Sequence, residues 1–266
     1  MTSDCCPSSA LGTRPGGPRS PASPYVIEQT EQHGGVGDPQ HNRMLRALPV
    51  TERERIYPHL RLVRMPLGAV VSEPGKVQRH AYFPIDCVIS FSHLMKDGAS
   101  TEVAVVGNEG LVGAALFAGA RIPGRIVVQS AGRAYVLVGE RLKDEFDRGG
   151  EIQARLLRYT QALLTQIAQT AACNMHHTVD QRLSRSLLAY LDRMSSNQLK
   201  ITQENISDML GVRRERVSSA AARLQHLGAI HYSRGQMAIV DRSRLERESC
   251  ECYSAVKQEA NRLAFQ

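Results

Sequence analysis

The sequence predicts an α+β fold in three successive parts: an N-terminal β-roll, a long helix, and a C-terminal helical unit closed by a hairpin. Three observations predict it. Short runs rich in Val, Ile, Tyr and Phe, separated by turn residues, fill the segment from Leu62 to about Val138. An apolar repeat at steps of three and four follows Gly149-Gly150, and two short helical patterns joined at Gly211 precede a hairpin pattern that ends at Val240. At 266 residues, 42% hydrophobic and 22% charged, the chain is long enough to bury more than one core.

Residues 1–38 are rich in Pro, Gly and Ser, as in Pro15-Gly16-Gly17-Pro18, and offer almost nothing to bury, so a disordered tail is expected there. The β-roll is assigned to residues 39–148. It opens with a helical pattern in Met44, Leu45 and Leu48, then Glu54, Ile56 and Leu60, with Pro49 as the break and Thr51 as a new N-cap. Turn signals at Leu67-Gly68, Pro74-Gly75, Lys96-Asp97-Gly98, Gly107-Asn108-Glu109-Gly110, Pro123-Gly124 and Ala131-Gly132 divide the chain beyond Leu62 into short strands. The inner ones are Val88–Phe91, Glu102–Val106 and Ile126–Val128, in a double-stranded β-helix or jelly-roll arrangement.

Residues 149–177 read as a long helix and hinge. Leu156, Tyr159, Leu163, Ile167 and Thr170 recur at helical spacing and suit a seam where two helices pair, so dimerisation is expected; packing of the same stripe on the strand domain is the alternative. Residues 178–247 form the next unit, opening with a helix from Thr178 to Met194 that carries Val179, Leu183, Leu187 and Leu191. Residues 248–266 remain as a C-terminal extension.

Within that unit, Thr202 is a natural N-cap, Ile206, Met209 and Leu210 give one apolar face, and Gly211 permits the left-handed backbone of a tight turn. The next helix, from about Arg213 to His226, turns Val217, Ala220, Ala221 and Leu224 inward. A hairpin comes next, with its tip at Ser233-Arg234-Gly235-Gln236. Two helices joined by a glycine turn, with a wing after them, form a winged helix-turn-helix, which inserts its second helix into the major groove of DNA. Arg214 can donate two parallel bonds to guanine, Glu215 can accept from the cytosine amino group, and Ser218 and Ser219 can meet a base edge or a phosphate. Thr202, Gln203, Arg213, Arg216 and, at the wing tip, Arg234 complete the expected DNA-binding set.

The stretch from Thr202 to Val217, TQENISDMLGVRRERV, resembles the winged helix of the Crp/Fnr superfamily of bacterial transcription regulators. The order of β-roll, long helix and winged helix is similar too. The resemblance implies base-reading roles for Arg214 and Glu215, whereas a third position, often Arg in the family, is Ser219 here. It also implies a homodimer on a near-palindromic operator, a cytoplasmic location, and RNA polymerase as a candidate partner. Gly113-Ala114-Ala115-Leu116-Phe117 is similar to the family's phosphate-binding cassette, and Arg125-Ile126 to its Arg-Ser or Arg-Thr pair. Ala114 replaces the acidic residue that would hold a ribose hydroxyl, and Ile126 has no hydroxyl, so cyclic AMP is not expected to bind.

The charge balance, 33 Lys and Arg against 26 Asp and Glu for a net +7, favours polyanionic partners without naming one. Nothing approaches the roughly 20 apolar residues of a membrane-spanning helix, and no apolar run follows a basic N-terminus, so neither membrane insertion nor secretion is expected. Cys5, Cys6, Cys87, Cys173, Cys250 and Cys252 are expected to be reduced thiols. Adjacent Cys5 and Cys6 lack the spacing for an iron-sulfur cluster completed by Cys87. Cys173, His177, Cys250 and Cys252 are candidate ligands for a metal or redox switch at the hinge, but their separation in sequence favours ordinary packing, and no cofactor is expected. A cupin-like enzyme would need clustered histidines, whereas His80 and His93 stand apart, and neither a nucleophile elbow nor a phosphate loop occurs. A winged helix that contacts protein instead of DNA is the remaining alternative.

Overall fold

The computed structural model describes residues 38–264; the expected tail, with Cys5 and Cys6, lies outside the described residues apart from Asp38. Buried Asn42 organises the entry to the roll. Its side-chain oxygen accepts from the N–H groups of Met44 and Leu45, capping α1 (Arg43–Arg46), and its amide donates to the carbonyls of Pro84 and Gly110, both at 2.9 Å. Helix α2 (Val50–Ile56) begins after Pro49, so Thr51 is inside it and not its cap. The fixed φ of proline suits that position, and the Pro49 carbonyl accepts from the N–H groups of Glu52 and Arg53. Glu54 is exposed and Leu60 lies beyond the helix, so neither continues the apolar face.

Strands β1 (Arg61–Met65), β2 (Val70–Ser72), β3 (His80–Pro84), β4 (Val88–Leu94) and β5 (Ser100–Val106) lead to a short helix α3 (Ala114–Ala118), then β6 (Arg125–Ser130) and β7 (Gly132–Val138). They form two antiparallel sheets, ordered β1-β7-β3 and β2-β6-β4-β5. The period-two alternation of strand side chains explains how both faces of the first sheet are covered. Ala134 and Val136 of β7 point between the sheets to meet Val63, Met65, Ile89, Ile126 and Val128. Tyr135 and Leu137 point the other way, under Leu45, Ile56, Leu142, Ile152 and Leu156 from α1, α2, α4 (Gly139–Arg148) and α5 (Glu151–His176).

Helix α5 starts after Gly149 and Gly150, with φ of 84° and 87°, and has no side-chain cap of its own. Buried Glu52 supplies one: its carboxylate accepts from the N–H groups of Glu151 and Ile152, each at 2.9 Å, and faces the positive end of the helix dipole. A Cβ on Gly150 would stand 2.6 Å from Glu52 Oε1, so the approach requires glycine.

The apolar stripe of α5 is taken up within the chain. Leu156 is fully buried, the Tyr159 hydroxyl donates to the Leu111 carbonyl at 2.8 Å, and Thr170 is buried beside Arg185. Ile167 is half-buried, and Leu163 lines a cavity of about 580 Å³ that the C-terminal helix helps to close. The face left open carries Leu157, Gln161, Leu164, Ala168, Ala171 and Met175.

The C-terminal part comprises α6 (Val179–Leu191), β8 (Gln198–Lys200), α7 (Gln203–Leu210), α8 (Arg214–His226), β9 (Ile230–Ser233), β10 (Gln236–Ile239), α9 (Arg242–Glu248) and α10 (Cys252–Ala264). Thr178 caps α6 reciprocally with Gln181, and the helix stops at Leu191, short of Met194. Leu183, Leu187, Ile206, Leu210, Val217, Leu224 and Met237 form the core, which extends to Val88 and Val105 of the roll. Two polar contacts reinforce that junction: the Tyr190 hydroxyl donates to Glu102 Oε2 and Arg193 Nε donates to Glu109 Oε1, each at 2.6 Å.

Candidate nucleic-acid interface

Thr202 opens α7 with a reciprocal cap: its hydroxyl accepts from the Asn205 N–H and the Asn205 side-chain oxygen accepts from the Thr202 N–H, both at 3.1 Å. Ile206, Met209 and Leu210 are buried, and Gly211 ends the helix in the left-handed region at φ 63°. Buried Arg182 donates to the Leu210 carbonyl, and the Ser207 hydroxyl donates to the Val212 carbonyl, so the turn is fixed from both sides. Arg213 stands at the N-cap of α8 without a capping side chain, which leaves the first N–H groups of that helix facing outward.

Along α8, Val217, Ala220, Ala221 and Leu224 are buried, as their spacing requires. Arg213, Arg214, Glu215, Arg216 and Ser219 are exposed, together with Thr202 and Gln203 at the start of α7. Ser218 is half-buried, its hydroxyl donating to the Arg214 carbonyl at 3.1 Å. The wing turn contains Arg234 and Gly235 with φ of 49° and 76°, the two consecutive positive values of a tight two-residue hairpin. A Cβ on Gly235 would lie 3.6 Å from Thr202 Cγ2, so the wing tip and the start of α7 are neighbours. The start of α7 thus lies beside the wing tip and, through the Glu204–Arg214 pair, beside the first turn of α8, while the rest of the expected set is exposed apart from half-buried Ser218.

Two residues of this surface carry no signal in the sequence. Glu204 on α7 pairs with Arg214, and the two side chains are 64% and 58% exposed. Such a pair contributes about 0–1 kcal/mol, so it orients the guanidinium yet yields readily to a stronger partner. Lys200, exposed at the end of β8, lies opposite Gln236 because β8 adds a third strand to the wing, in the order β8-β10-β9. Among the described residues, Arg213, Glu215, Arg216 and Arg234 have no ion-pair partner.

The cassette residues are not assembled into a polar site. Gly113 and Ala114 form the uncapped start of α3, and Ile126 is fully buried between the sheets. Arg125 pairs with Glu73 at 3.2 Å beside a cavity of about 450 Å³ lined by Ser72, Gln78 and Tyr82 but by neither Gly113 nor Ala114. Cys87 is buried in the roll, donates to the Arg133 carbonyl at 3.3 Å, and has its thiol pushed up to about 12 by burial. His80 and His93 lie at the start of β3 and near the end of β4. By contrast, Cys173, His177, Cys250 and Cys252 converge, and their ligand atoms all lie within 4.8 Å of one another, a group able to hold a metal ion.

No helix among the described residues is long and apolar enough to cross a membrane. Residues 181–248 match the family model of the Crp-like helix-turn-helix domain. No curated protein matches the sequence. Among solved structures, a regulator assigned to the Crp/Fnr family from Eubacterium rectale is similar at TM-score 0.63 and 16% identity, over 78% of this chain and 98% of that one. A CRP-family transcriptional regulator of Thermus thermophilus is similar at 0.59 and 19% identity, over 70% and 95% of the two chains. FixK2 of Bradyrhizobium japonicum gives 0.57 and 14%, over 72% and 98%. Residues 181–248 are therefore a Crp-like helix-turn-helix domain by sequence, and the chain shares the fold of these solved regulators.

Proposed function

We propose that the chain is a sequence-specific transcription regulator that binds near-palindromic duplex DNA as a homodimer, acts by binding and not by catalysis, and does not use cyclic AMP. The observation that carries this is that the exposed start of α7 neighbours both the wing tip and, through the Glu204–Arg214 pair, the exposed first turn of α8. These exposed side chains take no part in the core, so their chemistry is available to a partner. Arg214 and Glu215 are the base readers, for guanine and for the cytosine amino group, and Ser218 and Ser219 allow close approach of the helix. Thr202, Gln203, Arg213, Arg216 and Arg234 hold phosphates and set the register.

Support for a second copy comes from the open face of α5. Leu157, Gln161, Leu164, Ala168, Ala171 and Met175 step by four and three alternately, the spacing of a coiled-coil seam, and Leu157, Leu164 and Met175 are 53%, 55% and 81% exposed. Alanines in the middle allow two such helices to approach closely. Absence of a cyclic AMP response is supported by Ile126 filling the roll interior and by the pairing of Arg125 with Glu73. A regulator of this kind works in the cytoplasm with the chromosome and meets RNA polymerase at promoters.

The test is duplex binding over a salt series, with sedimentation and calorimetry on the same preparation. The proposal expects affinity to fall steeply with salt, because neutralised phosphates release counterions, a dimer in sedimentation, and no saturable heat with micromolar cyclic AMP. Salt-insensitive binding would point to a protein-contacting wing, and stoichiometric cyclic AMP binding would overturn the effector assignment.

A further inference from the structure

The DNA-binding surface leaves one chemical cluster unused. Cys173 on the last turn of α5, His177 at its C-cap, Cys250 between α9 and α10, and Cys252 at the start of α10 come together although 75 residues separate His177 from Cys252 and 77 separate Cys173 from Cys250. Cys173 Sγ and Cys250 Sγ are 3.5 Å apart, as are Cys252 Sγ and His177 Nδ1. Thiolates about 2.3 Å and an imidazole about 2.0–2.1 Å from a tetrahedral zinc ion stand about 3.5–3.8 Å from each other. Two of the pairs therefore already stand at the spacing of ligands on a common ion, and all four ligand atoms lie within 4.8 Å of one another, so only a small contraction would complete the site.

Ordinary packing does not account for this arrangement. The three buried cysteines form a cluster of their own, separate from the three apolar cores, with their sulfurs facing each other and a ring nitrogen. The surrounding contacts are those of a metal site. His177 Nε2 is 3.3 Å from Glu251 Oε1, which leaves Nδ1 directed at the sulfurs, and Gln169 Nε2 donates to Cys252 Sγ at 3.0 Å. Three sulfurs and one imidazole suit zinc-class ions and not magnesium or calcium, which take oxygen ligands.

We propose that Cys173, His177, Cys250 and Cys252 bind one zinc-class divalent ion, which pins the hinge between α5 and α6 to the start of α10. Each cysteine releases its proton to solvent on binding, and neutral His177 donates its Nδ1 lone pair, so no oxidant or reductant is required. The site stands independently of the DNA-binding reading.

The test uses the untagged full chain, purified without chelators and analysed for metal, then stripped and reloaded with Zn²⁺ or Co²⁺. The expected results are one ion per chain, the visible bands of tetrahedral cobalt with thiolate charge transfer, and thiols that react only after chelation. Cys250→Ser should lose the ion. Because that change touches a buried residue, Glu251→Gln serves beside it: its carboxylate is 76% exposed, so the fold should persist while zinc affinity falls about 10–100-fold. Cys5→Ser with Cys6→Ser should leave the ion in place. The proposal is overturned by a wild-type chain that takes up no stoichiometric ion, by an octahedral cobalt spectrum, by a Cys173–Cys250 disulfide in its place, or by binding that depends on Cys5 and Cys6 instead.

Discussion

Glu52→Ala should destabilise the protein far more than a surface helix substitution does. The Glu52 side chain is buried, and its two oxygens accept from the N–H groups of Glu151 and Ile152 at 2.9 Å. Losing a charge-assisted bond costs about 1.5–3 kcal/mol, and loss of an N-cap typically costs about 1 kcal/mol. Because both bonds leave together and the site is enclosed, about 3 kcal/mol is expected. Gly150, the N-cap residue, has no side chain that could replace the lost cap. For a chain of this size about 3 kcal/mol lowers Tm by roughly 6–12 °C. The assay is urea and thermal unfolding of Glu52→Ala beside Glu54→Ala, whose side chain is exposed on the same helix and should change stability by less than about 0.5 kcal/mol. Equal effects of the two substitutions would refute the assignment of Glu52 as the cap of α5.

Leu164→Lys, placed on the open face of α5, should convert dimer to monomer in sedimentation with little change in monomer stability; a variant that remains dimeric would move the seam elsewhere. Arg234→Ala should weaken all duplexes alike and reduce the salt slope by about 0.9 per subunit; an effect confined to one sequence would make Arg234 a base reader. Burial pushes the Glu102 carboxyl above its ordinary range, against the opposing hydrogen bond from Tyr190. A carboxyl raised in the folded state favours folding below its unfolded pKa of about 4.3 and loses that contribution as pH rises through the folded value. Unfolding free energy should therefore decline over that window, and Glu102→Gln should flatten the decline; an unchanged slope would remove Glu102 as its source.

The winged helix was legible because its signals are local. A capping Thr202, a left-handed Gly211 and a two-residue turn at Arg234-Gly235 each act within a few residues, and each stands where its chemistry predicts. The strands of the roll were legible for the same reason. The face of α5 was not, because apolar residues occur in adjacent pairs. Leu156 goes into the core while Leu157 is exposed, and Leu163 lines a cavity while Leu164 is exposed. Only the position of the roll decides which member of each pair is buried. Long-range pairings also escaped: Glu52 caps a helix 99 residues on, β8 joins the wing across α7 and α8, and the Cys and His side chains meet only because α10 returns to α5.

Selection of bound sequences from random duplexes, run with the wild-type chain and with Arg214→Ala, tests most directly whether the first turn of α8 meets base edges. The wild type should enrich a motif of two inverted half-sites about one helical turn apart. Arg214→Ala should lose base preference at one position in each half-site, with a cost of about 1–3 kcal/mol per contact. No enrichment by the wild type, or an identical motif from both proteins, would contradict the assignment.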